Sequence, residues 1–301
     1  MEDKWLHYEN SKQTNDYING LEKIHESLIA QMSPCERPWF VNHWLKILNL
    51  SECYMLKHND ECVAIATYPK IKDTHYYRWQ NCTLSVKSGI EIGSLPRPVN
   101  KSEYFITPAQ NSELAIGFSI SGMKISISQV CTALRISENS KEQNPPLNVE
   151  NRIVKNKDDA EASSSIFMTR LLEFGKDDFF NTYYLAPITH DISLIPTNKK
   201  RGWGVYSIDK TTTKPIASAY YSPWELPLGG PAAALVDDIV VLPEYRKKGI
   251  ASSLQYFALN MLRQNGVSWI CGNIEPNNFA SLKQSENLGR RPWSITIEVK
   301  N

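Results

Sequence analysis

Two hydrophobic periods alternate along the chain. Between Tyr17 and Met32 apolar residues recur at helical spacing through Leu21, Ile24, Leu28 and Ile29, and Ser33-Pro34 ends the run. Trp39, Phe40, Trp44, Leu45 and Leu48 predict a second helix over Trp39–Leu48. A period of two then takes over: Cys53–Lys57 and Cys62–Tyr68 flank His58-Asn59-Asp60-Glu61, which reads as a hairpin. Strand-like runs follow around Tyr76–Val86, Leu114–Ile120 and Met123–Val130, and Lys124–Val130 alternates as a strand with one exposed face would.

The pattern fades from Ile136 through the double proline Pro145-Pro146, and Asn156–Ala162 is rich in charge. Residues 136–163 therefore read as a linker or mobile loop between a domain over 1–135 and one over 164–301. In the second half, Ser165–Phe174 predicts a helix. Trp203–Ile208 and Pro215–Trp224 predict paired strands, and Leu226–Pro231 a turn. From Leu235 the order is strand, helix, strand, helix, strand, ending at Lys300, as an α/β fold with a mixed sheet requires.

Composition narrows the class. The 301 residues are 42 % hydrophobic and 22 % charged with a net charge of +1, an ordinary globular balance. The basic residues are scattered, which argues against a nucleic-acid groove or a membrane-surface face. No apolar run approaches the ~18 residues of a membrane span. Met1–His7 is charged and unlike a secretory signal, so a cytoplasmic location is expected and the Asn-x-Ser/Thr triplets at Asn49, Asn81 and Asn100 read as accidental. Six cysteines and six histidines are dispersed with no Cys-x-x-Cys or His-Glu-x-x-His, so no metal is expected. Gly117–Ser121 is not a nucleophile elbow, so a covalent acyl-enzyme has no support.

The candidate chemistry lies at Arg246-Lys247-Lys248-Gly249-Ile250-Ala251, a basic turn between the strand from Leu235 to Pro243 and the helix from Ser252 to Leu262. Helix N-terminal N–H groups and the helix dipole favour an anion, and Gly249 lets the backbone approach a phosphate. The P-loop and the dinucleotide Gly-x-Gly-x-x-Gly patterns are both absent. A solvated basic face is the plain alternative.

Asp237-Asp238-Ile239-Val240-Val241-Leu242-Pro243-Glu244-Tyr245-Arg246-Lys247-Lys248-Gly249-Ile250-Ala251 resembles the acyl-CoA signature of the GNAT superfamily of N-acyltransferases, with Ala251 at the last Gly/Ala position. Asn278–Gly289 resembles that family's later helix. The resemblance implies a GNAT fold with a mixed central sheet in the C-terminal half. The first half looks loosely like a tandem, FemAB-like partner: a degenerate GNAT-like domain without the phosphate turn, completing the acceptor cleft, covering the acyl chain or serving as scaffold.

Further expectations follow from the resemblance. Ile239, Val240 and Val241 would pair with the pantetheine arm, Arg246, Lys247, Lys248, Gly249, Ile250, Ala251 and Ser252 would surround the pyrophosphate, and Asn278 would touch the pantetheine or a bound water, or simply cap its helix. Asp237 and Asp238 are the candidate bases. Alternation sends them to opposite sides of the sheet, with Asp237 preferred, and strand-end charges are the alternative. Where the family often carries a tyrosine acid, this chain has Ser285. Either Ser285 relays a proton through water, or another residue donates, or the thiolate leaves unprotonated. The implied activity is transfer of an acetyl or longer acyl group from acyl-CoA to a primary amine, on a small molecule or a peptide side chain. Glycine N-acyltransferases are similar in the C-terminal layout, and an acyl carrier protein is a possible donor. A non-catalytic acyl-CoA-binding or protein-interaction module is the reading from another class.

Overall fold

The computed structural model describes residues 4–9, 13–70, 82–99, 102–109, 118–136, 143–174 and 202–301, the side chains of 170–174 excepted. The parts of the expected strands at residues 76–81 and 114–117 lie outside them, as do residues 137–142 of the expected linker. The helices are α1 Thr14–Ile24, α2 Glu26–Ile29, α3 Arg37–Leu50, α4 Lys157–Phe174, α5 Ile250–Gln264 and α6 Phe279–Asn287. The strands of the first half are β1 Trp5–His7, β2 Ser51–His58, β3 Glu61–Pro69, β4 Cys82–Val86, β5 Ile90–Ile92, β6 Ser102–Pro108, β7 Phe118–Ile120 and β8 Lys124–Arg135. Those of the second are β9 Val149–Ile153, β10 Trp203–Asp209, β11 Pro215–Glu225, β12 Ala232–Val241, β13 Trp269–Ile274 and β14 Arg291–Lys300.

Local chemistry accounts for the element ends. The first predicted helix is broken at His25 into α1 and α2; His25 is fully buried, with Nε2 2.7 Å from Ser85 Oγ. Helix α3 has Pro38 in its first turn and buries Phe40, Trp44 and Leu48, one row spaced by four. The β2–β3 hairpin turns through Asn59 and Asp60, both with positive φ, as a two-residue turn demands. The expected linker is largely structured: β9 and the first turns of α4 fall within it. Val149 and Val154 are buried there, so too few apolar residues, rather than none, weakened the pattern.

Twelve of the described strands form one sheet in the order β1-β2-β3-β4-β6-β14-β8-β13-β12-β11-β10-β9. The order repeats. Antiparallel β2-β3-β4 continues to β6 through a parallel contact of only two residue pairs, and antiparallel β10-β11-β12 continues to β13 in the same way. Each half then receives the other's last strand: β14 beside β6, and β8 beside β13. The two exchanged strands pair with each other at the centre. The mixed sheet is therefore continuous across the chain rather than confined to the C-terminal half. The halves differ in the connection that follows the third strand. Between β12 and β13 the chain forms α5, whereas among the described residues between β4 and β6 it forms short β5 and no helix.

Helices α1–α3 cover the middle of one face, packing Leu21, Trp44 and Leu48 against Cys131, Cys271, Trp269 and Trp293. Glu36 ties this layer down. It accepts from Ser33 N at 2.8 Å and Trp269 Nε1 at 2.9 Å and pairs with Arg135, whose guanidinium lies 4.9 Å from the Trp269 ring. Burial works to raise the Glu36 pKa, but these hydrogen bonds and the Arg135 charge outweigh it and hold the carboxylate below its ordinary range. On the opposite face α5 buries Leu254, Ala258 and Leu262 against Ala219, Ala234 and Ile270.

Candidate acyl-donor site

Strands β12 and β13 pair only at Ala234–Ile270 and Leu235–Cys271, then run on separately to Val241 and Ile274. Parting parallel strands leave backbone groups facing an open slot. Leu242 N donates to Ile216 O at 3.0 Å, so by antiparallel alternation Val240 bonds towards β11 while Ile239 and Val241 face the slot. The three expected pantetheine contacts are thus divided: two backbones face the slot and Val240 does not. Ile239 N is occupied by Asp238 Oδ1 at 2.8 Å, and Val241 O by Arg246 Nε at 3.0 Å. This leaves the Ile239 carbonyl and the Val241 amide turned to the open side.

A β-bulge sits where the strands part. Tyr221 lies opposite Val236 and Tyr220 opposite Asp238, so Asp237 is the extra residue. Asp237 is exposed by surface area, yet the protein around its carboxylate strips hydration and raises its pKa to about 7, against the pull of a hydrogen bond from Ser222 Oγ at 3.1 Å. A carboxylate titrating near neutrality on a cleft wall suits a base. Asp238 is turned back onto the backbone of Ile239.

Beyond Val241 the chain makes one 3-10 turn, Pro243–Tyr245, and enters α5 through two left-handed residues, Lys247 at φ 60° and Gly249 at φ 77°. Gly249 precedes α5 with no side-chain cap, so the N–H groups of Ile250, Ala251 and Ser252 are left to an external acceptor. A Cβ on Gly249 would point into open space, the side from which an anion would approach. Ser253 N closes the first helical bond to Gly249 O at 3.0 Å. Lys248 stands 5.3 Å from the Tyr245 ring, and the Tyr245 hydroxyl donates to Asp209 at 3.0 Å, which braces the turn against β10.

The two expected residues on α6 are engaged within their own helix. Asn278 Oδ1 caps it by accepting from Ser281 N at 3.2 Å. Ser285 is buried and its hydroxyl donates to Leu282 O at 2.8 Å. No motif marks Tyr221 and Ser222 on β11 or Arg290, which lie about the level where β12 and β13 part; their places follow from the bulge and the strand exchange. Among the described residues no group of three His, Cys, Asp or Glu could hold a metal, and no helix is long and apolar enough to cross a membrane.

A parted pair of parallel strands, with a bulge on one and an uncapped helix after it, gives the second half an open slot that leads to a helix N-terminus. Residues 168–289 match the model of the acetyltransferase (GNAT) family, and the doubled strand order gives the chain a tandem layout. No curated protein matches the chain closely. Among solved structures, a tandem GNAT protein from the clavulanic acid biosynthesis pathway is 12 % identical, with 99 % of this chain and 98 % of that one covered at a TM-score of 0.44. A GCN5-related N-acetyltransferase from Sphaerobacter thermophilus is 11 % identical, with 98 % and 95 % covered at 0.47. The structure of AAC(6')-Iy with a CoA bisubstrate analogue is 19 % identical, with 47 % and 89 % covered at 0.37.

Proposed function

We propose that the chain is an acyl-CoA-dependent N-acyltransferase, with the donor in the β12–β13 slot and a primary amine attacking directly. The observation that carries this reading is the junction itself: the slot-facing Ile239 and Val241 backbone leads into the uncapped N–H groups of Ile250–Ser252. Pantetheine adds along β12 as a strand would, and the pyrophosphate sits on the turn from Lys247 to Ser252. Arg246 contributes charge while bound to Val241 O. The amine approaches from the face that carries Asp237, which takes its proton. The Val241 amide polarises the thioester carbonyl.

The acceptor is a small molecule or a peptide side chain. The N-terminal half serves as its wall, because α1–α3 cover the face of β12 on which Ala233 and Leu235 lie. A division into a donor half over 164–301 and an acceptor half over 1–135 fits this reading, with β8 and β14 exchanged between them. No disulfide joins cysteines among the described residues, which suits a reducing, cytoplasmic setting. An acyl carrier protein in place of CoA is the alternative donor.

The test is release of free thiol from acetyl-CoA and longer acyl-CoAs in the presence of a panel of amines. Amine-dependent release is expected. Tight CoA binding without release against any amine would instead establish the non-catalytic module, a reading that the engaged Ser285 hydroxyl favours.

A further inference from the structure

One buried charge has no evident partner. Arg290 is 4 % exposed, its Nη2 donates to Gly272 O at 3.1 Å, and its Nε–H has no acceptor among the described residues. No carboxylate among the described residues pairs with it; the groups that bear on its ionisation are Cys271, Cys131 and Tyr221. The guanidinium fills the space over Gly272 that a Cβ would need. An unpaired buried guanidinium is expensive to maintain, and burial pushes its pKa down. Tyr221 is fully buried beside it, and its hydroxyl also lacks a partner among the described residues.

The location gives these groups a meaning. Gly272 is the first residue of β13 past the last contact with β12, and Tyr221 lies opposite Val236, the first residue of β12 past it. Two unsatisfied donors, one charged, thus flank the level at which the strands part. Donors without acceptors in a buried place make a receptor for an anion. At the thioester end of the proposed slot, the reaction itself generates one.

We propose that Arg290 and Tyr221 form a thiolate-binding subsite that holds the sulfur of coenzyme A as it leaves. The assignment rests on the acyl-donor reading above. The amine lone pair forms the C–N bond, the C–S pair departs on sulfur, and the ammonium proton passes to Asp237 and then to water. The thiolate, held between the Tyr221 hydroxyl and the guanidinium, takes a proton from water on release. The net products are amide and free CoA thiol. The subsite stands in for the proton donor that Ser285 does not supply. The titratable groups around it are Cys131 on β8, Cys271 on β13 and Tyr221 on β11, with the Asp237 carboxylate acting on Cys271.

The test is an ultraviolet titration of CoA bound to the full chain, with desulfo-CoA as the blank that removes the protein's own thiols. A free alkyl thiol ionises near ~8.5. The bound CoA thiol is expected to ionise about 1–3 pH units lower, the range for a group facing an opposite charge. Tyr221→Phe and Arg290→Met should return it towards the free value. Tyr221→Phe removes a hydroxyl without a partner among the described residues and should not lower the thermal midpoint, which a structural role would lower. Arg290→Met also gives up the bond to Gly272 O and is read by the thiol ionisation. CoA that binds with an unshifted thiol overturns the subsite and leaves the donor reading standing. A succinyl-CoA affinity more than ~10-fold above that of acetyl-CoA, lost in Arg290→Met, would overturn it by assigning the anion to an acyl carboxylate (~1.4 kcal/mol per tenfold). Absence of CoA binding in the wild type overturns the donor reading and the subsite together.

Discussion

Asp237 carries the most consequential single position in the chain. It is the extra residue of the β12 bulge, and lost hydration raises its pKa to about 7. A base must be deprotonated to act, so turnover should climb as pH rises through about 7 and level off above it. Asp237→Asn should lower kcat by ~10²–10⁴-fold and leave the CoA dissociation constant unchanged, measured by steady-state thiol release beside calorimetry. Equal turnover in the two proteins would remove Asp237 from the chemistry. The sequence pointed to both Asp237 and Asp238, and strand alternation allowed one of them into the cleft. It could not show the bulge, because a bulge is a relation between two strands and leaves no mark in the residues of one. The same reason hides Tyr221 and Arg290: each matters through what lies across the sheet. Ser285 illustrates the reverse. Its place in the motif was legible, but its hydroxyl is engaged with Leu282 O.

Most elements were legible because their hydrophobic period is regular: α3, the β2–β3 hairpin and the succession from β12 to β14 fall where the pattern puts them. Helices α1 and α2 were merged because the apolar row runs on across His25, whose buried imidazole interrupts the helix. That imidazole makes a stability prediction. Burial lowers its pKa from 6.5 to about 3, and the nearby His43 pushes the same way. Below about 6.5 the unfolded chain therefore binds a proton that the folded chain refuses, so stability is lost as pH falls through the window from 6.5 to about 3. The loss should approach ~1.4 kcal/mol per pH unit inside the window. In urea unfolding at stepped pH, His25→Gln, which can keep a bond to Ser85, should show a shallower slope. An unchanged slope would show that His25 is not buried neutral.

At the scale of the whole molecule, the exchange of β8 and β14 makes the two halves one folding unit. Each central strand is paired on both sides by strands remote in sequence, which no local pattern can announce. Chemical unfolding should therefore show a single transition, coincident by tryptophan fluorescence and circular dichroism. Two separated transitions would mean that the halves are independent domains, as the sequence alone suggested. The same doubling explains why one half is assigned the donor: β4 and β6 part as β12 and β13 do, but among the described residues only the second pair is bridged by a helix whose N-terminus can receive a phosphate. That junction is the centre of the account, and CoA affinity tests it most directly. Gly249 has φ 77° and open space at its Cβ position, so Asn and Asp both fit there with similar strain and differ in charge. Native mass spectrometry and calorimetry with acetyl-CoA should find one CoA bound to the wild type and to Gly249→Asn, and affinity reduced at least ~100-fold in Gly249→Asp. Equal affinity in all three proteins, or no CoA bound to the wild type, would contradict the account.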